Sequence, residues 1–171
     1  MSQRHAQIGI FNVTTNANDK IPWCTWFGIP EILIENLAMT RDVKKAQLYA
    51  FNVLPNHVHI IVSPGEQGLS KFMQSFKSNS MKNIQDYLLR SRDVPWPGLR
   101  RGGSAAEIKR CIAWQHGFHD EHIQDGRQCS AAMGYVQGNA MKHGLVDDIM
   151  QWPWSSLQYP HLLDPMELWL D

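Results

Sequence analysis

The chain has 171 residues, 43% apolar and 10% aromatic, enough for one globular domain with a sizeable core and too apolar for a disordered one. Its apolar runs fall far short of the ~20 residues that span a bilayer, and residues 1–6 lack the apolar stretch of a signal peptide, so no membrane association is expected. Formal net charge is zero, yet residues 71–110 hold nine Lys/Arg against three acids, while residues 144–171 hold five acids and no Lys or Arg. Phosphates respond to local charge, so the neutral total does not exclude a nucleic-acid partner. Cys24, Cys111 and Cys129 are odd in number and form no CxxC pair, which points to a reduced, cytoplasmic protein without a thiolate zinc site.

Residues 7–14 alternate in part and read as a first strand. Pro30 then opens a helix through about Lys45, with Leu33, Ile34, Leu37 and Ala38 at core spacing. Gln47–Val53 reads as a second strand, turned by Leu54-Pro55-Asn56 into an antiparallel partner, His57-Val58-His59-Ile60-Ile61-Val62. On that strand His57 and His59 face one way, and Val58, Ile60 and Val62 the other. Two neutral imidazoles whose Cα atoms lie roughly 6–7 Å apart suit a divalent metal, with a third ligand from another element. The plainer alternative is a polar, solvated sheet face.

Gly68 to about Arg90 is a strongly periodic helix. Leu69, Phe72, Met73, Phe76, Ser80, Ile84, Tyr87 and Leu88 form its core stripe, which places Tyr87 in the core. Lys71, Ser75, Ser78 and Lys82 lie opposite, as solvated surface or as a row of phosphate contacts. Residues 91–110, with Pro95-Trp96-Pro97-Gly98 and Gly102-Gly103-Ser104, read as a long basic loop able to grip a strand by charge and stacking. Trp96 and Trp114 are candidate stacking platforms, although core packing is the usual job of a tryptophan.

Residues 111–123 contain a further strand and its approach. A last helix runs from about Arg127 to His143, with Asp125 as N-cap, Gln128 three residues on in a capping-box variant, and Gly144 as its stop. Cys129, Met133, Val136 and Ala140 form its apolar face. Tyr135, Asn139 and Lys142 fall together at i, i+4 and i+7 on another face. A lone helical tyrosine ordinarily lines a core edge; the amide and the lysine beside it make this one a functional candidate. His116, His143 and His161 read as surface residues.

These blocks resemble the REP-associated tyrosine transposase family, a branch of the single-tyrosine HUH transposases. The resemblance rests on Leu54-Pro55-Asn56-His57-Val58-His59-Ile60-Ile61-Val62, on Trp114-Gln115 with Phe118 and Glu121-His122, on residues 134–146 (GYVQGNAMKHGLV), and on Trp152-Pro153-Trp154-Ser155-Ser156. It implies an α+β fold, a ferredoxin-like antiparallel sheet with helices packed on it, formed by residues 1–159 and followed by an acidic tail, 160–171. The predicted order, strand–helix–strand–strand–helix–strand–helix, agrees.

The resemblance further implies that His57, His59 and Asn139 hold Mg²⁺ or Mn²⁺, and that Tyr135 is the nucleophile that nicks and joins single-stranded DNA through a 5′-phosphotyrosine. Lys142 or metal-bound water would help the phenol lose its proton. His119, Glu121 and His122 are further candidates to shape the site. The implied partner is a DNA hairpin, as in repeated extragenic palindromes, with Lys71, Lys82, Arg90, Arg100, Arg101, Arg110 and Lys142 as its contacts. A protein at the bacterial nucleoid, monomer or homodimer, is expected. Two departures stand out: Ala140 occupies a position where members often carry Pro, and the stretch from the histidine strand to Tyr135 is long. A hairpin-binding module without nuclease activity and a plain metal-dependent hydrolase are the alternatives.

Overall fold

The computed structural model describes residues 9–91 and 104–166. Strands β1 (Ile10–Asn16), β2 (Gln47–Leu54), β3 (His57–Ser63) and β4 (His119–Ile123) form one antiparallel sheet in the order β2-β3-β1-β4. Helix α1 (Ile29–Lys44) links β1 to β2, and α2 (Gly68–Arg90) with the short α3 (Ala105–Cys111) links β3 to β4. This split βαβ order is the ferredoxin-like plan expected from the sequence. Helix α4 (Gly126–Lys142) is added after β4.

The alternation of β3 divides the protein into two layers of core. Val58, Ile60 and Val62, with Phe11 and Val13 of β1 and Phe51 and Val53 of β2, pack beneath the apolar stripes of α1 and α2. The other face carries Ile61, Ala50 and Ile10, covered by Cys129, Ala132 and Val136 of α4. His57 and His59 share that second face.

Residues 104–111 depart from the expected loop. Ser104 accepts from the Glu107 backbone N–H, and the Glu107 carboxylate accepts from the Ser104 N–H. This capping box starts α3, and the Ser-x-x-Glu spacing that signals it stands in the sequence. Trp96, Arg100 and Arg101 lie outside the described residues. Trp114 takes the core-packing role: its ring packs edge-on against Trp23 at 4.7 Å, and its indole N–H donates to Ser80 Oγ. Tyr87 sits at the core margin rather than inside, its hydroxyl donating to the Phe27 carbonyl.

After α4 the chain returns to β2, a sheet edge. The Val53 N–H donates to the Trp154 carbonyl, the Trp152 indole N–H donates to the Val53 carbonyl, and Asn52 bridges Ser155. Further on, the Asp164 carboxylate accepts from the Leu48 N–H, while the Asp164 N–H donates to the Leu48 carbonyl. The described part of the acidic tail thus runs along the β2 edge, satisfying backbone groups that an open edge would expose. Trp152 also packs with Leu54 and Ala140 in a small cluster under the last turns of α4. Trp152→Ala is expected to cost about 3–5 kcal/mol, read as a lowered urea midpoint; a cost under about 1 kcal/mol would show that this cluster does not hold α4.

Candidate active site

The β2–β3 turn is Pro55-Asn56, and both carbonyls are tied to other segments: Cys24 N–H donates to Pro55 O, and Ala17 N–H to Asn56 O. The hairpin is therefore held in place just where the histidines begin. His57 Nδ1–H donates to Asn56 Oδ1 at 2.7 Å, leaving the Nε2 lone pair free for a ligand. His59, 3% exposed, is hydrogen-bonded through Nδ1 to Thr14 Oγ1 at 2.9 Å, and its Nε2 is buried with no partner. Thr14 is its register partner on β1, Asn52 its partner on β2.

Helix α4 brings the remaining groups. Asp125 caps it by accepting from the Gln128 N–H, as expected, but the Gln128 side chain accepts from Gln124 N–H rather than from the cap residue's own. At the other end Gly144, at φ +69°, donates to Met141 O while Leu145 N–H donates to Ala140 O. That Schellman pair stops the helix at the predicted glycine.

The face carrying Tyr135, Asn139 and Lys142 meets the imidazole pair. The His57 and His59 ring centroids are 4.9 Å apart and perpendicular, and the Tyr135 ring lies 5.3 Å from that of His59. Asn139 is fully buried, and neither its Oδ1 nor its Nδ2 has a hydrogen-bond partner. Lys142 Nζ sits over the Tyr135 ring, 4.9 Å from its centroid, a cation–π contact. Tyr135 itself is 44% exposed, so its phenol is open to a large substrate.

His143 was read as surface; it is exposed, but its ring lies 5.5 Å from that of His57, so it borders the site. The residue caps α4 at i+4 from Asn139 and i+8 from Tyr135, so the helical period that groups those two residues reaches it as well. On β4, His119 and Glu121 pair with Thr14 and Asn12 and face α4. His122 faces the opposite way, stacked on Phe11 at 5.1 Å, so of the three candidates it alone is turned from the site.

Burial gives both imidazoles a low proton affinity. It pushes His59 down to about 3, aided by the neighbouring His57, His143 and Lys142 charges and opposed by Asn139. His57 is lowered by burial and by His143, again opposed by Asn139. Both rings are therefore neutral at pH 7, the form that can coordinate a metal.

The residues fit the divalent cation that the sequence implied. Two neutral imidazoles and one amide converge, and the orphaned His59 Nε2 and Asn139 atoms are buried polar groups that demand a partner. The donor set contains no carboxylate: among the described residues no three His, Cys, Asp or Glu side chains cluster in a metal-holding arrangement.

The described cationic residues named as DNA contacts lie on two sides of the sheet. Lys71, Lys82 and Arg90 are exposed on α2, which covers the sheet face opposite α4, and Arg110 is exposed on α3 beside α2. Among these residues only Lys142 is at the histidine–tyrosine site. Lys77, between them in sequence, donates to the Gln115 and Gly117 carbonyls and so braces the approach to β4.

Comparison with known proteins supports the resemblance. Residues 28–98 match the model of the family described as IS200-like transposases, a span that includes the histidine strand and ends before α4. A putative REP-associated tyrosine transposase of Haemophilus influenzae is 23% identical over 115 residues, 63% of this chain and 56% of that protein. The chain thus matches little more than half the length of that relative. Among solved structures, a REP-associated tyrosine transposase bound to a REP hairpin shares the fold with a TM-score of 0.68 at 20% identity, over 100% of this chain and 92% of that one. A putative transposase from Deinococcus radiodurans R1 superposes with a TM-score of 0.51 at 11% identity, over 77% of this chain and 91% of that one. The resemblance read from the sequence is supported by these matches, and the α+β fold is shared with the solved structures. No helix among the described residues is long and apolar enough to cross a membrane.

The depressed histidines fix a pH dependence of stability. Unfolded histidine takes a proton near 6.5, whereas folded His59 stays neutral to about 3. The stabilisation from His59 is complete above about pH 6.5 and is lost as pH falls toward 3, because the unfolded chain binds the extra proton. Metal-free protein is expected to lose urea midpoint between pH 7 and 4.5, and His59→Asn to lose less; equal slopes for the two proteins would refute the neutral, buried ring.

Proposed function

We propose that the chain is a tyrosine transposase that nicks and rejoins single-stranded DNA beside a hairpin through a 5′-phosphotyrosine intermediate. The observation that carries this reading is the half-exposed phenol of Tyr135 set against the imidazole pair, whose innermost nitrogen is buried and unpartnered. The hairpin substrate rests on the family resemblance and on the hairpin held by the related protein of known structure.

His57 and His59, through Nε2, and Asn139, through its side-chain oxygen, would hold Mg²⁺ or Mn²⁺. The bound cation supplies neutralisation of the charge that builds on the non-bridging oxygens of the scissile phosphate. Asn56, accepting from Nδ1–H, keeps the His57 ring in the coordinating tautomer, and Thr14 orients the His59 ring through its Nδ1.

Tyr135 Oη forms the new bond to phosphorus and the P–O3′ bond breaks. The phenolic proton is lost, and the leaving oxygen takes one up to become a 3′-hydroxyl. The phosphotyrosine keeps the energy of the broken bond, so a later 3′-hydroxyl can attack it, restore the phenol and join strands. A free phenol has a pKa near 10. Lys142, above the ring, holds the phenol in place through the cation–π contact.

The test is a denaturing gel of protein incubated with labelled hairpin DNA and Mn²⁺. Wild type and Tyr87→Phe are expected to form a covalent adduct and Tyr135→Phe none. His57→Ala and His59→Ala each lower its yield by about 100-fold or more. Adduct from Tyr135→Phe but not from Tyr87→Phe would overturn the assignment. Cleavage with no adduct would favour the hydrolase, and tight hairpin binding with neither would favour the binding module.

A further inference from the structure

Helix α4 packs mainly on β2 and β3, and a groove of about 410 Å³ remains between it and the β1–β4 half of the sheet. Tyr135 forms one wall, together with Ala131, Ala132 and Gln128 on α4, the Gln128 side chain being held at the helix start by the Gln124 N–H; Ile123, Asn12 and Glu121 line the sheet side. Asn12 and Glu121 are register partners across β1 and β4. Two residues beyond Asn12 on the same face is Thr14, which holds His59. The groove therefore opens directly onto the candidate active site.

Its chemistry is selective. Small and apolar side chains leave a slot for a flat ring, and the volume lies within the range of small-molecule sites. At the sheet side stand two acceptors: the Glu121 carboxylate, exposed and without an ion-pair partner among the described residues, and Asn12 Oδ1, buried and without a hydrogen-bond partner. A carboxylate repels phosphate, so the sugar–phosphate backbone is the wrong occupant. What satisfies two acceptors is a ring edge rich in N–H donors. The exocyclic amines of guanine, cytosine and adenine supply this, and guanine adds a second N–H beside its amine. Thymine offers one N–H flanked by two carbonyls that would face the carboxylate.

We infer that this groove is a nucleobase-binding subsite that accepts an amino-bearing base next to the cleaved phosphodiester and discriminates against thymine, with Glu121 as the discriminating residue. The inference rests on the nicking function proposed above for its place in the reaction, but base preference is measurable without chemistry.

The probes are fluorescent hexamers, dT6 and its variants carrying a single central dG, dC or dA, titrated by anisotropy against wild type and Glu121→Gln. Glu121 is exposed, so the substitution leaves the fold intact; unchanged far-UV circular dichroism checks this. Wild type is expected to bind the dG hexamer about 5- to 10-fold more tightly than dT6, with Glu121→Gln reducing that ratio below about 2-fold. Amide resonances of Ala131 and Ala132 should shift on adding the dG hexamer and remain still in Glu121→Gln. Equal affinity for all four hexamers, no binding of any at millimolar concentration, or a preference that survives Glu121→Gln would each overturn the subsite. A preference with no adduct on hairpin DNA keeps the subsite and removes the nicking function; an adduct with no preference does the reverse.

Discussion

The meeting of phenol and imidazoles depends on how α4 is pinned to the sheet. Asn52, which flanks His59 on β2, donates its buried side-chain N–H to the Val136 carbonyl at 2.9 Å. One residue thus sets both the environment of the inner histidine and the position of the turn that carries Tyr135 and Asn139. The bond lies in a dry interface, so sliding the helix by one residue would strand a polar donor away from water as well as turn Tyr135 off the site. The return of Trp152–Ser155 along β2 closes the same contact from outside, and Leu54 and Trp152 wedge Ala140 against the sheet. An alanine at position 140 fits this close approach: it is fully buried in that wedge and leaves its N–H in the helix.

Much of this was legible in local pattern. Period-two alternation placed the histidines opposite the core, period-3.6 spacing placed Tyr135, Asn139 and Lys142 on one helix face, and Asp125 and Gly144 bounded that helix because capping chemistry is local. What stayed hidden depends on contacts distant in sequence. The burial of Asn139 follows from α4 lying over β2 and β3, which no spacing within the helix reveals. His122 shares a strand with Glu121, and its facing away needs only alternation; grouping the three β4 residues by proximity in sequence blurred a distinction that the strand period makes.

The charge pattern is the clearest case of a correct local reading whose spatial meaning differs. The α2 stripe of Lys71 and Lys82 is exposed as predicted, yet the sheet separates it from the tyrosine. A strand running straight from one to the other would have to cross the thickness of the domain. The α2 lysines can therefore assist only by contacting a second, distant part of a folded DNA or by raising the general potential of the protein, an effect that salt screens over about 10 Å. On the α4 face, Lys142 is the cation beside the tyrosine among the described residues.

That scarcity of charge has a consequence for the chemistry. A cation held by two imidazoles and an amide keeps its full double charge, since none of those donors is an anion, whereas each carboxylate ligand would cancel part of it. A phosphate would then meet an undiminished field at the point where negative charge grows. The same bareness would leave a cation weakly held before DNA arrives, because neutral donors contribute little Coulomb attraction. Binding of cation and phosphate would then be mutually reinforcing: the phosphodiester oxygens supply the anionic ligands that the protein omits. Glu121 stands outside this arrangement, facing the groove beside Tyr135 rather than the imidazole pair. A carboxylate among the ligands would hold the cation alone and blunt its action on phosphate; one placed along the groove leaves the field intact and is free to read a base.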